Sequence, residues 1–355
     1  MIKVLIVDDS ALVRKILSEE LNRHDDIHVV GTAMDPYIAR DKIIELKPDV
    51  ITLDLEMPRM DGLSFLSRLM KHFPMPVVVV SSLAPKNSEN ALMALQLGAV
   101  EVICKPGSAY STQNISKPLV EAVRVASLAK LNKSFTASGK TSSPPAQIRL
   151  YHTTNKVIAI GASTGGTRAI EAILTRLPAD MPGIAMVQHM PPVFTTGFAD
   201  RLNKLCALEV REARDRDPLE SGTALLAPGN QHMLVEKQGA KYIVRLRQGP
   251  PVHHQKPSVD VMFNSVARAA GVNAVGVLLT GMGSDGAKGM LAMKESGAHT
   301  IAQDEETSVV FGMPKQAIQM GAVREILPIQ NMPDGLVNAV TRKRESNGYD
   351  KPAAR

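Results

Sequence analysis

Tryptophan is absent from this 355-residue chain, and with 5 Tyr and 7 Phe the aromatics amount to only 3%. Stacking of single-stranded bases needs aromatic platforms, so that role is a poor fit. Cysteine is scarce too. Cys104 and Cys206 lie far apart in apolar contexts, without the CxxC or Cys/His spacing of a metal site. Buried free thiols in a reducing compartment are expected. No apolar run approaches the ~20 residues of a membrane-spanning helix, and the opening MIKVLIVDDS meets acids too early for a secretory signal. The expectation is a cytoplasmic protein without membrane insertion. The net charge of +6 would suit an acidic partner, but there is no long basic stripe. Much of the Lys and Arg falls near 124–156 and 341–355, so nucleic acid is not expected as a partner.

What is present is an ordinary soluble composition: 44% hydrophobic residues and a mean hydropathy of −0.02. The length exceeds that of a usual single domain, and two are expected. In the first part, apolar runs alternate with helix-period segments. Strands are expected at KVLIVDD, IHVVGTA, DVITLDLEMP, PVVVVSS and VEVICKP, with helices around 11–23, 36–46, 62–72 and 88–97 and from about 117. Five βα units of this kind predict a parallel sheet covered by helices on both faces. The stretch 132–155, rich in Ser, Thr and Pro, reads as a flexible linker. A second α/β domain follows, with strands at KVIAIGA, GIAMVQHM, GTALLAPG, YIVRLR, AVGVLLTG and HTIAQDE. A small β-hairpin is expected within 223–247. The boundaries expected are 1–125 and 154–347 for the domains, 126–153 for the linker and 348–355 for a tail.

Chemistry-bearing residues gather at predicted strand ends. Asp8 and Asp9 follow the first strand, Asp54 ends the third, Ser81 the fourth and Lys105 the fifth. An open parallel sheet collects functional groups at the carboxyl ends of its strands. Three carboxylates there repel one another unless a cation joins them, and all-oxygen ligation suits Mg²⁺. A lysine and a hydroxyl opposite would hold an anionic group such as a phosphoryl on Asp54. Single acids at such positions often only cap the next helix; five complementary groups point to a site.

The second domain opens on VIAIGASTGG, a buried run ending in a serine among glycines. A P-loop would need GK[ST], but Gly166 is followed by Thr167 and Arg168. A dinucleotide fingerprint would need glycine where Ser163 stands and an acid after the next strand, which ends instead in Gln188 and His189. G-x-S-x-G also fits a turn that exposes a nucleophile, and a bland turn of small residues remains the alternative. His189 is placed as a general base, and AVGVLLTGMGSDG delivers Asp285, so a Ser163–His189–Asp285 relay can assemble. The order Ser, His, Asp differs from that of the α/β-hydrolase fold. His232 and the His253–His254 pair stay open between substrate contact and loop anchoring.

These motifs carry two resemblances. With VDDS, ITLDLEMPRMDG, VVVVSS and CKPG, residues 1–125 resemble a response-regulator receiver domain of flavodoxin-like (βα)5 fold. That implies Asp8, Asp9 and Asp54 as Mg²⁺ ligands, Asp54 as phosphoacceptor, Ser81 as hydroxyl switch and Lys105 as phosphate contact. It also implies a Lys105–Pro106 bond that is often cis. Residues 154–345 are similar to the catalytic domain of the CheB chemotaxis methylesterases, a doubly wound parallel α/β domain. The matching stretches are IGASTGG, MVQHMPPVFTTGFADRLN, APGNQHM, PSVDVMFNSVA, LLTGMGSDGAKGM and AQDEETSVVFGMPKQAI. This implies a phosphorylation-activated serine esterase that demethylates glutamate γ-methyl esters, and deamidates glutamines, on methyl-accepting chemoreceptors. Ser163, His189 and Asp285 would be catalytic, Met282 an oxyanion position and Thr164 a neighbouring hydroxyl, with no cofactor for the esterase reaction. A chemotaxis histidine kinase would supply the phosphoryl group, and the chain would be a monomer. Two rival classes are a receiver-controlled binding module, which would tolerate Ser163→Ala, and a DNA-acting regulator, for which no helix-turn-helix is evident.

Overall fold

The computed structural model describes residues 1–81, 85–105, 113–130 and 155–341, with the backbone alone at 85–88 and 113–116. The expected tail, most of the expected linker and the Lys105–Pro106 bond lie outside the described residues.

The N-terminal part alternates β1 (Ile2–Val7), α1 (Ala11–Asn22), β2 (Ile27–Ala33), α2 (Pro36–Leu46), β3 (Val50–Asp54), α3 (Gly62–His72), β4 (Val77–Ser81), α4 (Pro85–Leu97), β5 (Glu101–Cys104) and α5 (Gln113–Ser127). All neighbouring strands run parallel in the order β2-β1-β3-β4-β5. VITLD and VVVVS are buried throughout, as strands covered on both faces must be. Helix starts follow local chemistry: the Ser10, Asp35 and Asp61 side chains each accept a backbone N–H from the first turn of the following helix. The expected five βα units are observed. However, α4 and α5 begin at residues 85 and 113 rather than near 88 and 117, and α5 carries Pro118 inside the helix, where a proline more often marks the first turn.

The second part contains β6 (Val157–Ala162), α6 (Gly166–Leu174), β7 (Ile184–Gln188), α7 (Pro192–Leu205), β8 (Glu209–Glu212), β9 (Thr223–Leu226), β10 (His232–Gln238) and β11 (Lys241–Arg247). It continues with α8 (Val259–Ala270), β12 (Ala274–Leu278), α9 (Ala287–Glu295), β13 (His299–Gln303), α10 (Met313–Gln319), β14 (Glu325–Leu327) and α11 (Met332–Thr341). Seven strands form a parallel sheet in the order β14-β13-β12-β6-β7-β9-β8. The hairpin is narrower than expected. It consists of β10 and β11, which pair antiparallel, while Thr223–Leu226 joins the main sheet beside β7. β8 and β14 escaped the sequence reading because short, half-exposed edge strands carry no apolar run.

The chain winds outward from β6 in both directions, so the order reverses between β6 and β12. Crevices at such switch points, outside the strand carboxyl ends, are where open α/β sheets bind ligands. Register brings those ends level: Leu278 pairs with Gly161, and Gly161 with Val187. The two parts are also in contact. Leu92 and Leu95 on α4 belong to the same apolar cluster as Phe194 and Phe198 on α7. Gln96 Nε2 donates to Glu171 Oε2 at 2.5 Å, and Lys130 Nζ to Glu305 Oε1 at 2.8 Å. Cys104 and Cys206 are free but only half-buried, which corrects the expectation of full burial; burial still raises both thiols, Cys206 to about 11. Among the described residues, no helix is long and apolar enough to cross a membrane.

Candidate active site

The serine turn is dictated by close packing. A Cβ on Gly161 would lie 2.2 Å from Val259 Cγ1, and Gly165 adopts φ +78° at the start of α6. Only glycine satisfies both, since L side chains disfavour positive φ. The chain therefore leaves β6 at Ser163, whose N–H donates to Thr280 O at 3.0 Å and whose carbonyl accepts Gly166 N–H at 2.7 Å. Gln188 Nε2 donates to both Ser163 O (2.9 Å) and His189 O (3.1 Å), clipping the two strand ends together.

His189 Nε2 lies 2.8 Å from Asp285 Oδ2. Asp285 is 2% exposed, and the first turn of α8 feeds its carboxylate. Oδ1 accepts Ser258 Oγ–H at 2.8 Å and Asp260 N–H at 2.9 Å, and Oδ2 accepts Val259 N–H at 2.8 Å. Burial alone would raise this carboxyl. The hydrogen bond and charge attraction of His189, with the bonds from Asp260 N–H and Ser258, outweigh it and hold the group below the usual range. With an ionised Asp285 accepting, Nε2 carries a proton; Nδ1 is buried and has no hydrogen-bond partner among the described residues. In the serine-protease arrangement the carboxylate meets Nδ1 instead.

Ser163, Thr164 and His189, with Glu101 of β5, line a cavity of about 20 Å³, room for about one water-sized group. A cleft of about 1010 Å³ opens beside it, reaching Met282, His253, His254 and Lys105. Met282 lies in the turn after β12 and is 46% exposed. His232 proves to be a loop anchor: Nδ1 accepts Ser258 N–H at 3.2 Å and Nε2 meets Pro250 O at 3.0 Å. His253 pairs with Asp260 at 3.0 Å, and both it and His254 adopt positive φ at the cleft. Ser258, Gln188 and Glu101 were missed by sequence reading. PSVD resembles a helix N-cap, but nothing local indicates that a carboxylate from beyond β12 rests on it.

On the other sheet, carboxylate oxygens of Asp8, Asp9 and Asp54 lie within 4.8 Å of one another. Lys105 Nζ bridges Asp8 Oδ2 at 2.9 Å and Asp54 Oδ2 at 2.7 Å. Burial raises the Asp54 carboxyl, with Lys105 pulling it down and Asp8 adding to the rise. Burial would lower Lys105, but its bonds to Asp54 and Asp8 raise it. Ser81 is buried at the adjacent strand end, its carbonyl accepting Lys105 N–H at 2.8 Å. Three hard oxygen donors around a partly exposed point fit a small divalent cation.

The fold and its two clusters define a class: a receiver domain joined to a parallel α/β domain with a serine, a histidine and an aspartate at neighbouring strand ends. The CheB methylesterase profile matches residues 158–336 and the response regulator receiver domain profile residues 4–115. Protein-glutamate methylesterase/protein-glutamine glutaminase 2 of Syntrophus aciditrophicus is 56% identical over 340 residues, covering 96% of this chain and 99% of that protein. The protein-glutamate methylesterase/protein-glutamine glutaminase of Sulfurimonas denitrificans is 50% identical over 350 residues, covering 97% and 99%. Among solved structures, the Thermotoga maritima CheB methylesterase catalytic domain is similar at 38% identity and a TM-score of 0.51, covering 52% of this chain and 98% of that one. The chain belongs to the CheB methylesterase family.

Proposed function

We propose that Ser163 is the nucleophile of a protein-glutamate methylesterase and glutaminase whose activity is governed by phosphorylation of its receiver domain. The observation that carries this reading is the 2.8 Å His189–Asp285 bond at the cavity that Ser163 lines. Ser163 Oγ attacks the γ-carbonyl of a glutamyl methyl ester while His189 Nδ1 takes its proton. Asp285 holds the imidazolium that forms. The Met282 N–H stabilises the oxyanion, where a donor aimed at developing charge is worth most, and Thr164 offers a neighbouring hydroxyl. Methanol leaves with the proton from His189, and water then releases glutamate from the acyl-enzyme. A glutamine amide follows the same course with ammonia leaving. The substrates are chemoreceptor side chains, and the experiment that tests the reading is methanol release from methylated receptors.

The receiver part, 1–125, is read as taking a phosphoryl group from a chemotaxis histidine kinase onto Asp54. Asp8, Asp9 and Asp54 would hold Mg²⁺, which when bound offsets the repulsion between their carboxylates and an incoming dianion. Lys105 then contacts the phosphoryl, and Ser81 turns towards it. The protein is read as a cytoplasmic monomer with its catalytic domain over 154–347. A small phosphodonor should label the wild type but not Asp54→Asn, and EDTA should block labelling. Label persisting in Asp54→Asn moves the site elsewhere.

The contacts of α4 and β5 with the catalytic domain support a receiver that restrains the esterase until phosphorylated. A few kcal/mol between docked and open forms is enough for a large activity change. A fragment beginning near residue 150 should therefore be faster than the unphosphorylated whole and indifferent to phosphodonor. A slower fragment would mean that the receiver assists the esterase.

A further inference from the structure

We infer that Glu101, from the receiver's own β5, occupies the glutamyl side-chain pocket of the esterase as a built-in product mimic. This rests on the functional reading above and names what fills that site at rest. Thr164 Oγ1 donates to Glu101 Oε2 at 2.9 Å, one residue from Ser163. The same small cavity is lined by Glu101, Ser163 and His189, so a glutamyl carboxyl sits in the compartment where a glutamyl ester is to be cleaved. The side chain is the reaction's own product, presented in cis. Its placement follows from the fold. β5 is an edge strand of the receiver sheet, and its first residue faces the catalytic domain where Leu95 and Val102 pack beside Met190 and Phe194.

Charge is consistent with this assignment. Burial pushes the Glu101 carboxyl up to about 7, against the pull of the Thr164 hydroxyl, so a large neutral fraction is held there near neutral pH. A neutral carboxylic acid is closer to a methyl ester or an amide than a carboxylate is. Phosphorylation need not reshape the esterase; it need only withdraw β5. Glu101 lies on the same short strand that leads to Lys105, which pairs with Asp54.

The test uses the full, unphosphorylated chain. Glu101→Ala should raise methanol release about fivefold, the factor expected for losing one hydrogen bond of ordinary net strength, chiefly through a lower apparent KM for receptor. Glu101→Gln, which keeps length and an acceptor oxygen for Thr164, should stay as restrained as wild type. It also places an amide before a glutaminase. Ser163 Oγ bonds to its Cδ, the C–N bond breaks, ammonia leaves with the proton His189 took from Ser163, and water cleaves the resulting ester to give glutamate. Mass spectrometry should show this residue gaining about 1 Da, and Ser163→Ala in the same chain should prevent the gain. Phosphodonor-treated wild type is the reference. If it releases methanol while Glu101→Ala tracks untreated wild type, the assignment of Glu101 is overturned and the esterase reading stands. If no form releases methanol, the esterase reading itself falls.

Discussion

Ser163→Ala should abolish methanol release, lowering kcat on the order of 10⁶-fold, the usual size of losing the nucleophile of a triad. The alanine leaves the turn intact. Gly161 and Gly165 keep their close approach and positive φ, and the main-chain bonds of residue 163 to Thr280 O and from Gly166 N–H do not involve Oγ. A thermal unfolding curve within a few degrees of wild type separates lost chemistry from lost fold. Retention of even a tenth of wild-type turnover would remove Ser163 from the mechanism. It would favour a receiver-controlled binding module, in which the glycine-rich loops only grip a partner.

Asp285→Asn should cost about 10⁴ in kcat, less than removal of the nucleophile but far more than a lost hydrogen bond. The aspartate accepts four donors: His189 Nε2–H, Ser258 Oγ–H and the N–H groups of Val259 and Asp260. An asparagine has a single oxygen. If that oxygen stays with Ser258 and Asp260, the amide NH₂ faces Val259 N–H and His189 Nε2. His189 then accepts at Nε2 and carries its proton on Nδ1, the nitrogen that should take the serine's. The positive end of α8 also loses the charge it stabilises. The tautomer is directly observable: ¹⁵N NMR of the ring should show the proton moving from Nε2 to Nδ1. An asparagine variant within tenfold of wild type, with the tautomer unchanged, would show that Asp285 only braces the turn.

Much of this was readable before any coordinates. The receiver's alternation of buried β-branched runs with N-capped helices is a local pattern, and Asp8, Asp54, Ser81 and Lys105 stand where such strands end. Ser163, His189 and Asp285 stand at the corresponding strand ends of the second sheet, or just beyond them. Other features carry no local signal. β8 and β14 are too short and too exposed to carry a period, and the hairpin spacing across 223–247 does not reveal that β9 pairs with β7. His232 is nearly buried and binds main chain, a fate its sequence neighbours do not announce.

The sequence by itself determined the two parallel sheets and which side chains arrive at their carboxyl ends, because strand burial and period-2 geometry are encoded within each short segment. Long-range packing sets what those side chains meet. The first turn of α8 meets a carboxylate from 25 residues or more further along the chain. That contact holds the carboxylate that meets His189 Nε2. Glu101 lies 63 positions before its partner Thr164 and reads in sequence as an ordinary strand residue. Only the packing of α4 and β5 against the catalytic domain brings its carboxyl beside the serine. Contacts at such separations arise from the burial of whole surfaces, which a linear pattern records as hydrophobic residues without saying what they will face.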